Sequence, residues 1–250
     1  MVDTVDKKGS ERSPDDQVEL VEHLSELRTR IVRCIVYIGL AAVVGWVFYD
    51  FFFEYLSAPV MPYLGKSGSS FLLTGIAEGF TIKMQVSLLV GLILALPLVT
   101  LEGWRFMAPG LTSSEKRAIR LVAPLSIVLF IAGVALARFV LPMGIKWLVS
   151  QNPPQAKFMP AVAQTLLFIL KMYLAFGLVF QMPVVLMFLA KVGLIRSEML
   201  KSYWRHAIVA IGIIAAAVTP SGDAFTMMVM CVPMIILYIL SIGLVGLMEK

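Results

Sequence analysis

Apolar residues fall in six long runs separated by short polar stretches, and the runs predict helices rather than strands. The spacing predicts a first membrane helix over about Ile31–Tyr49, a second over Phe80–Leu101 and a third over Leu121–Leu141. A fourth covers Ala161–Ala190, about 45 Å at 1.5 Å per residue, against a hydrocarbon core of about 30 Å. It should tilt or bend, most simply at Pro183. The fifth, Ala207–Val218, is short, and the sixth starts at Ala224 and is interrupted by Pro233. Short helices beside a long bent one either thin the bilayer locally, which would ease the passage of polar cargo, or are re-entrant or tilted helices with no mechanical part.

Two stretches outside these runs have patterns of their own. In residues 18–28, Val18, Leu20, Val21, Leu24 and Leu27 share one side at helical spacing, which predicts an amphipathic helix on the membrane surface. Residues 1–17 are polar and charged and are expected to be disordered, leaving residues 18–250 as one membrane domain. The segment between the first two membrane helices, residues 50–79, begins as a short amphipathic helix and breaks at Pro59 and Pro62.

Composition agrees with a lipid-embedded chain: 59% of residues are hydrophobic and 15% charged, against roughly 25% charged in a soluble domain. The net charge of +5 lies in short loops rather than one patch, so it gives no nucleic-acid signal. Cys34 and Cys231 lie in apolar runs without metal-ligand spacing and read as small hydrophobes. The acid-rich N-terminal stretch lacks the apolar core of a cleaved signal peptide. Basic residues set the orientation. Arg28, Arg30, Arg33, Arg105, Lys116, Arg117, Arg120, Lys191, Arg196, Lys201 and Arg205 lie on one side, whereas the other side carries only Lys66, Lys146 and Lys157. Six crossings with both termini cytoplasmic follow.

No nucleophile elbow, phosphate loop, metal-ligand cluster or dinucleotide motif is present, so no enzyme and no cofactor is expected. The cytoplasmic carboxylates Glu26, Glu102 and Glu115 either bind a guanidinium in a two-pronged hydrogen bond or are solvated surface charges. Phe106 is either an interfacial anchor, like Trp104, or an exposed recognition aromatic. Within the membrane, Lys83 can snorkel or pair with Glu78, whereas the deeper Lys171 needs a partner or a water path. Gln181, beside Pro183, is a polar group in lipid that marks a place where something docks or passes. Asp223 reads as the N-cap of the sixth helix.

Five strings occur in order: VEHLSELRTRI, LSAPV, GWRFMAPGLTSSEKR, LAFGLVFQMPVV and TPSGD. Together they make the chain resemble the TatC family, the multispanning receptor subunit of the twin-arginine protein translocase. The resemblance implies an all-α membrane protein with six transmembrane helices. Both termini would be inside, and the bundle would be concave and glove-like with short fifth and sixth helices. It implies binding of twin-arginine signal peptides by Phe106 and Glu115, supported by Glu26, Leu27 and Arg28. Pro59 and Glu78 match positions that shape the outer segment, and Asp223 matches the acid of the last turn.

This chain departs from the family pattern at three places. Gln181 stands where Glu is usual, and it can donate and accept but not titrate. Met227 stands where a Gln is common, leaving Thr219 and Thr226 to complete the polar cluster for docking partner helices. Glu102 stands where an uncharged Gln is expected, and we hypothesise that it joins Glu115 in taking the arginine pair. The resemblance further implies TatA- and TatB-type single-span partners, the bacterial cytoplasmic membrane, and transport driven by the proton-motive force. A secondary transporter with Gln181 and Lys171 along its path is the alternative, and a scaffold without cargo recognition is a third. The lack of an internal repeat argues against the transporter.

Overall fold

The structure is a computed structural model that describes residues 14–64, 70–107, 113–153, 155–219 and 222–248, without the side chains of residues 14–23, 107, 113–123 and 248. Nearly all of the described chain is helical. α1 spans Pro14–Val47, α2 Tyr49–Ser57, α3 Glu78–Met107, α4 Ser113–Ser150 and α5 Val162–Val179. α6 spans Met182–Lys191, α7 Ser197–Ser202, α8 Trp204–Val218 and α9 Ala224–Met248. Among the described residues, five helical stretches are long and apolar enough to cross a membrane: Leu24–Val47, Glu78–Phe106, Pro124–Ser150, Val162–Lys191 and Ala224–Leu247. The shorter α8 is the sixth apolar helix, and its 15 residues reach only about 22 Å.

The surface helix expected over residues 18–28 is not a separate element. It is the first part of α1, which continues into the first membrane segment for 34 residues. No proline or glycine lies between Pro14 and Gly39 to end it, so the helix propagates from polar into apolar sequence. Most of the tail expected to be disordered, residues 1–13, lies outside the described residues. The fourth membrane segment does bend, at Phe180–Gln181 just before Pro183, and so divides into α5 and α6. Pro183 has no N–H to continue the ladder, and its ring crowds the carbonyl four residues back. The Gln181 N–H therefore bonds to the Leu178 carbonyl in a tight turn, at 2.9 Å. The sixth segment, by contrast, is not short: Pro233 sits inside an unbroken 25-residue α9. One missing hydrogen bond is tolerable in a membrane helix whose neighbours re-satisfy the backbone.

Two helix pairs hold the molecule together. α1 packs most extensively on α3, and α4 packs closely on α5. The first pair meets at glycines. A Cβ on Gly91 would lie 2.5 Å from the Ala42 backbone, and one on Gly45 would lie 2.8 Å from the Ser87 carbonyl. The second pair is equally tight, since a Cβ on Gly133 would meet the Phe176 carbonyl at 2.6 Å and one on Gly177 the Phe130 ring at 2.4 Å. Small residues let membrane helices approach until dispersion and packing replace the hydrophobic effect, which is weak between helices in lipid. The core formed around α5 includes Leu166, Ile169, Leu170 and Phe176, with Met230 and Met234 of α9 joining it.

Between α2 and α3, residue 72 pairs with the chain leading into α5. Leu72 N–H donates to the Pro160 carbonyl at 3.1 Å, and Val162 N–H donates back to Leu72 at 3.2 Å. Pro59 is buried where α2 ends, ahead of a single 3-10 turn at Met61–Tyr63. Glu78 opens α3 and accepts hydrogen bonds from the Thr74 N–H, the Thr74 hydroxyl (2.9 Å) and the Gly75 N–H (3.1 Å). Glu78 is thereby committed to the turn before its own helix, and Lys83 takes other partners. Its ammonium lies 4.9 Å from the Trp46 ring centre and 5.4 Å from that of Tyr49.

Candidate functional site

The α1–α3 packing brings two of the expected site residues, Glu26 and Glu102, together at one end of the bundle through Arg30. Glu102, on the last turns of α3, is 2% exposed, and arginines surround it. Arg30 of α1 donates from Nη1 to Glu102 Oε2 at 2.9 Å, and Arg105 donates to Oε1 at 3.2 Å. Arg33 stands 4.0 Å from Oε2. Arg30 also donates from Nε to Glu26 Oε1 at 3.1 Å, and its Nη2 reaches the same oxygen. The result is a Glu26–Arg30–Glu102 chain across two helices, with Arg30 planar between two carboxylates. Arginine suits that place because its fork serves two acceptors at once.

Glu102 therefore has internal partners on both oxygens, which changes the role expected of it. It holds α1 against α3 and fixes the direction of Glu26. Trp104, two residues on, points to the opposite side of α3 and is also buried, at 5% exposed, so both faces of α3 are covered here. Trp104 is not an interfacial anchor. Its ring meets Phe188 edge-on at 5.1 Å and packs beside Val184, joining α3 to α6.

Around this buried chain the surface is open. Leu27 and Arg28 are exposed, Phe106 is half-buried one turn beyond Glu102, and Glu26 keeps part of its side chain accessible. Two adjoining depressions on α1 share Ser25, Thr29 and Arg33 in their walls, and Glu26 lines one of them while Arg28 lines the other. Glu115 is in the first turn of α4, and its side chain lies outside the described residues.

The residues expected to dock partner helices separate into two kinds. Thr219 and Thr226 face inward, at 6% and 3% exposed. Thr219 donates to the Ala215 carbonyl at 2.6 Å, and the Thr226 hydroxyl donates to Asp223 at 2.7 Å. Asp223 also accepts from the Thr226 N–H at 2.7 Å, which is the N-cap geometry read from the TPSGD turn. Asp223→Ala should lower stability by about 0.5–2 kcal/mol, measured as a lower thermal midpoint in lipid nanodiscs, because α9 loses its cap and Thr226 its acceptor. Met227 remains half-exposed on that turn. Gln181 is half-exposed and exchanges two hydrogen bonds with Ser126 of α4: the Ser126 hydroxyl donates to Oε1 at 2.6 Å, and Nε2 donates to the Ser126 carbonyl at 3.0 Å. Gln181 thus bridges α4 to the break between α5 and α6, and a second N–H of its amide is left over.

Lys83, Arg138 and Lys171 are cations well inside the apolar spans, and of these Arg138 has no role read from the sequence. Arg138 of α4 rests its guanidinium 5.2 Å from the centre of the Tyr55 ring, and Tyr55 in turn stacks on Tyr173. Lys83 has its two rings. Lys171 is exposed on α5 and has no ionic, hydrogen-bonding or ring partner among the described residues. A lysine at the centre of a membrane helix costs about 2.5–3.5 kcal/mol on insertion scales, so a partner outside the chain would matter to it. The signal missed in the sequence was the residue type itself: Arg138 interrupts an apolar run as plainly as Lys171 does. The partners of Glu102 and Gln181, by contrast, are 72 and 55 positions away, and no local pattern names them.

Comparison with known proteins places this arrangement. The family model described as "Sec-independent protein translocase protein (TatC)" matches residues 22–233. A protein of that name from Desulforapulum autotrophicum is 38% identical over 229 residues, covering 91% of this chain and 84% of the relative. Another from Aquifex aeolicus is 36% identical over 230 residues, covering 90% and 93%. A crystal structure titled as the twin arginine translocase receptor TatC superposes with a TM-score of 0.77 at 35% identity, over 91% of this chain and all of that one. On motif, identity and fold alike, this chain belongs to the TatC family.

Proposed function

We propose that this chain is the receptor core of a twin-arginine translocase. It would bind signal peptides at the membrane face where α1 and α3 meet, and recruit single-span subunits of the TatA and TatB types for export of folded proteins. The observation that carries this reading is the Glu26–Arg30–Glu102 chain, anchored on the buried Glu102, with Leu27 and Arg28 exposed on α1 beside it and Phe106 half-buried one turn beyond Glu102 on α3. A peptide with two guanidiniums followed by an apolar stretch needs what this place offers: carboxylates, an aromatic side chain and adjoining lipid. Glu115, at the start of α4, would supply the accessible carboxylate, because those of Glu102 are already taken. The excess of Lys and Arg on this side supports a cytoplasmic site, both termini cytoplasmic, and a bacterial cytoplasmic membrane. The proton-motive force would drive the transport cycle, and this chain contributes recognition and recruitment rather than catalysis.

The test is direct binding of an Arg-Arg signal peptide and its Lys-Lys version to the protein in nanodiscs. Losing a bidentate charge-assisted contact costs about 1.5–3 kcal/mol, roughly a ten- to hundredfold rise in Kd. That rise is expected for the Lys-Lys peptide, for Glu115→Ala and for Phe106→Ala, with the last also stopping export of folded cargo while insertion stays intact. Equal Kd values across all of these would remove the receptor reading.

A further inference from the structure

The exposed face of α5 has a regular composition that its role in the core does not explain. Gln164, Lys171 and Leu178 are exposed at intervals of seven, Leu174 fills an intermediate place, half-exposed, and the half-exposed Gln181 lies just past the end of α5, at the break before α6. This is the a and d pattern of a helix seam, left without a partner helix among the described residues. The seam is not simply lipid-facing, because it carries Gln164 and Lys171, and lipid hydrocarbon offers neither a partner, while Gln181 beyond it has Ser126 and one amide N–H to spare.

The charge identifies what would cover it. α4 and α5 are consecutive and antiparallel: Gly133 meets Phe176 and Phe180 near the middle, while Ile145, Leu148 and Val149 line a cavity with Gln164, Thr165 and Phe168 toward the outer end. Counting outward from Gly133 brings Arg138 level with Lys171. Two cations therefore occupy one layer of the membrane, and no carboxylate lies within 4 Å of either among the described residues. Arg138 has the Tyr55 ring, but Lys171 has no such contact. Leu174 and Leu178 follow Lys171 on the same stripe and offer apolar contact to a close helix.

We propose that this stripe of α5 is the docking seam for one transmembrane helix of a single-span partner subunit, and that the partner carries a carboxylate at the level of Lys171. The partner's helix would cross at the shallow angle of a heptad seam, pair its carboxylate with the Lys171 ammonium, and leave its next polar group level with the free amide N–H of Gln181. This rests on the recruitment reading given above and names the contact through which recruitment occurs. Lys171 is thereby a specificity residue. It favours partners with an acid at that level and penalises partners that are apolar or basic there.

The test uses the full chain co-expressed with the TatA- and TatB-type subunits of its own organism, with a photo-crosslinking amino acid at Leu178 and, separately, at Met227. The expected result is a cross-link from Leu178 to a single-span subunit that falls tenfold or more in Lys171→Met and Lys171→Glu and survives in Lys171→Arg. It should return in Lys171→Glu when the partner's intramembrane carboxylate is changed to lysine. Unchanged cross-linking in Lys171→Met would overturn the proposal, since the lysine would then only be reaching for lipid phosphates. A cross-link from Leu178 to a second copy of this chain would also overturn it. Cross-linking from Met227 but not from Leu178 would remove this seam while leaving partner recruitment standing. Silence at both positions would remove the seam and recruitment together, and the signal-peptide binding measured separately would then decide the receptor role.

Discussion

Replacing Glu102 with alanine is expected to destabilise the protein by about 1.5–3 kcal/mol, because Arg30 and Arg105 each lose a charge-assisted hydrogen bond and Arg30 keeps only the partly exposed Glu26. Arg30 is 15% exposed at its side chain and Glu102 only 2%, so water recovers little of the loss. Glu102→Gln should cost less, since the amide oxygen still accepts a hydrogen bond, but it leaves Glu26 as the one carboxylate paired with Arg30 among the described residues. Thermal unfolding in nanodiscs should rank the variants as wild type above Gln above Ala. Arg30→Met should destabilise as well, and Glu102→Gln/Arg30→Met together should cost less than the sum, because the Arg30–Glu102 contact can be lost only once. Additive losses would mean that the two side chains act independently.

The same substitution separates two ways in which Glu102 can serve recognition. If it contacts the peptide directly, Glu102→Gln weakens binding and Arg30→Met does not. If it acts by holding Glu26 and Arg30 in place, both variants weaken binding of the Arg-Arg peptide alike. The geometry favours the second outcome, since both oxygens of Glu102 already have arginine donors within the chain.

What could be read before the fold was known follows from how far each interaction reaches. The six apolar segments, the short fifth one, the bend near Pro183 and the cap at Asp223 are local, and residues within one or two turns determine them. The continuity of α1 was harder, because a change from polar to apolar composition looks like a boundary although nothing in residues 15–38 breaks a helix. Arg30 was visible only as one more basic residue that sets orientation. Its meaning as the link between Glu26 and Glu102 depends on α1 lying against α3, and Gly45 and Gly91 carry that information only once they are seen as a pair. Gln181 reads from the sequence as a docking group, and the structure adds Ser126, a partner on another helix that hydropathy cannot reveal. Thr219 and Thr226 look alike in sequence to outward polar residues. Only the register of α8 and α9 turns them inward.

Gly91→Leu is expected to have the second large effect, through packing rather than charge. A Cβ at Gly91 would already lie 2.5 Å from Cα and N of Ala42, and backbone cannot rotate out of the way as a side chain can. Overpacking of this kind commonly costs about 1–3 kcal/mol and more when the obstacle is main chain. The helices would have to separate along their length, which would also draw Arg30 away from Glu102, because both pairs of contacts depend on the one α1–α3 interface. The variant should therefore show a lowered thermal midpoint and weakened Arg-Arg peptide binding together, although Gly91 lies far along α3 from Glu102. Gly39 supplies the control: it is on α1 too, it is exposed, and a Cβ there meets nothing within 4 Å, so Gly39→Leu should leave both measurements near wild type. If Gly91→Leu lowered the midpoint but left peptide binding unchanged, the charged chain would be holding its geometry without the helix interface. The recognition surface would then be local to the α1 end rather than built by the fold.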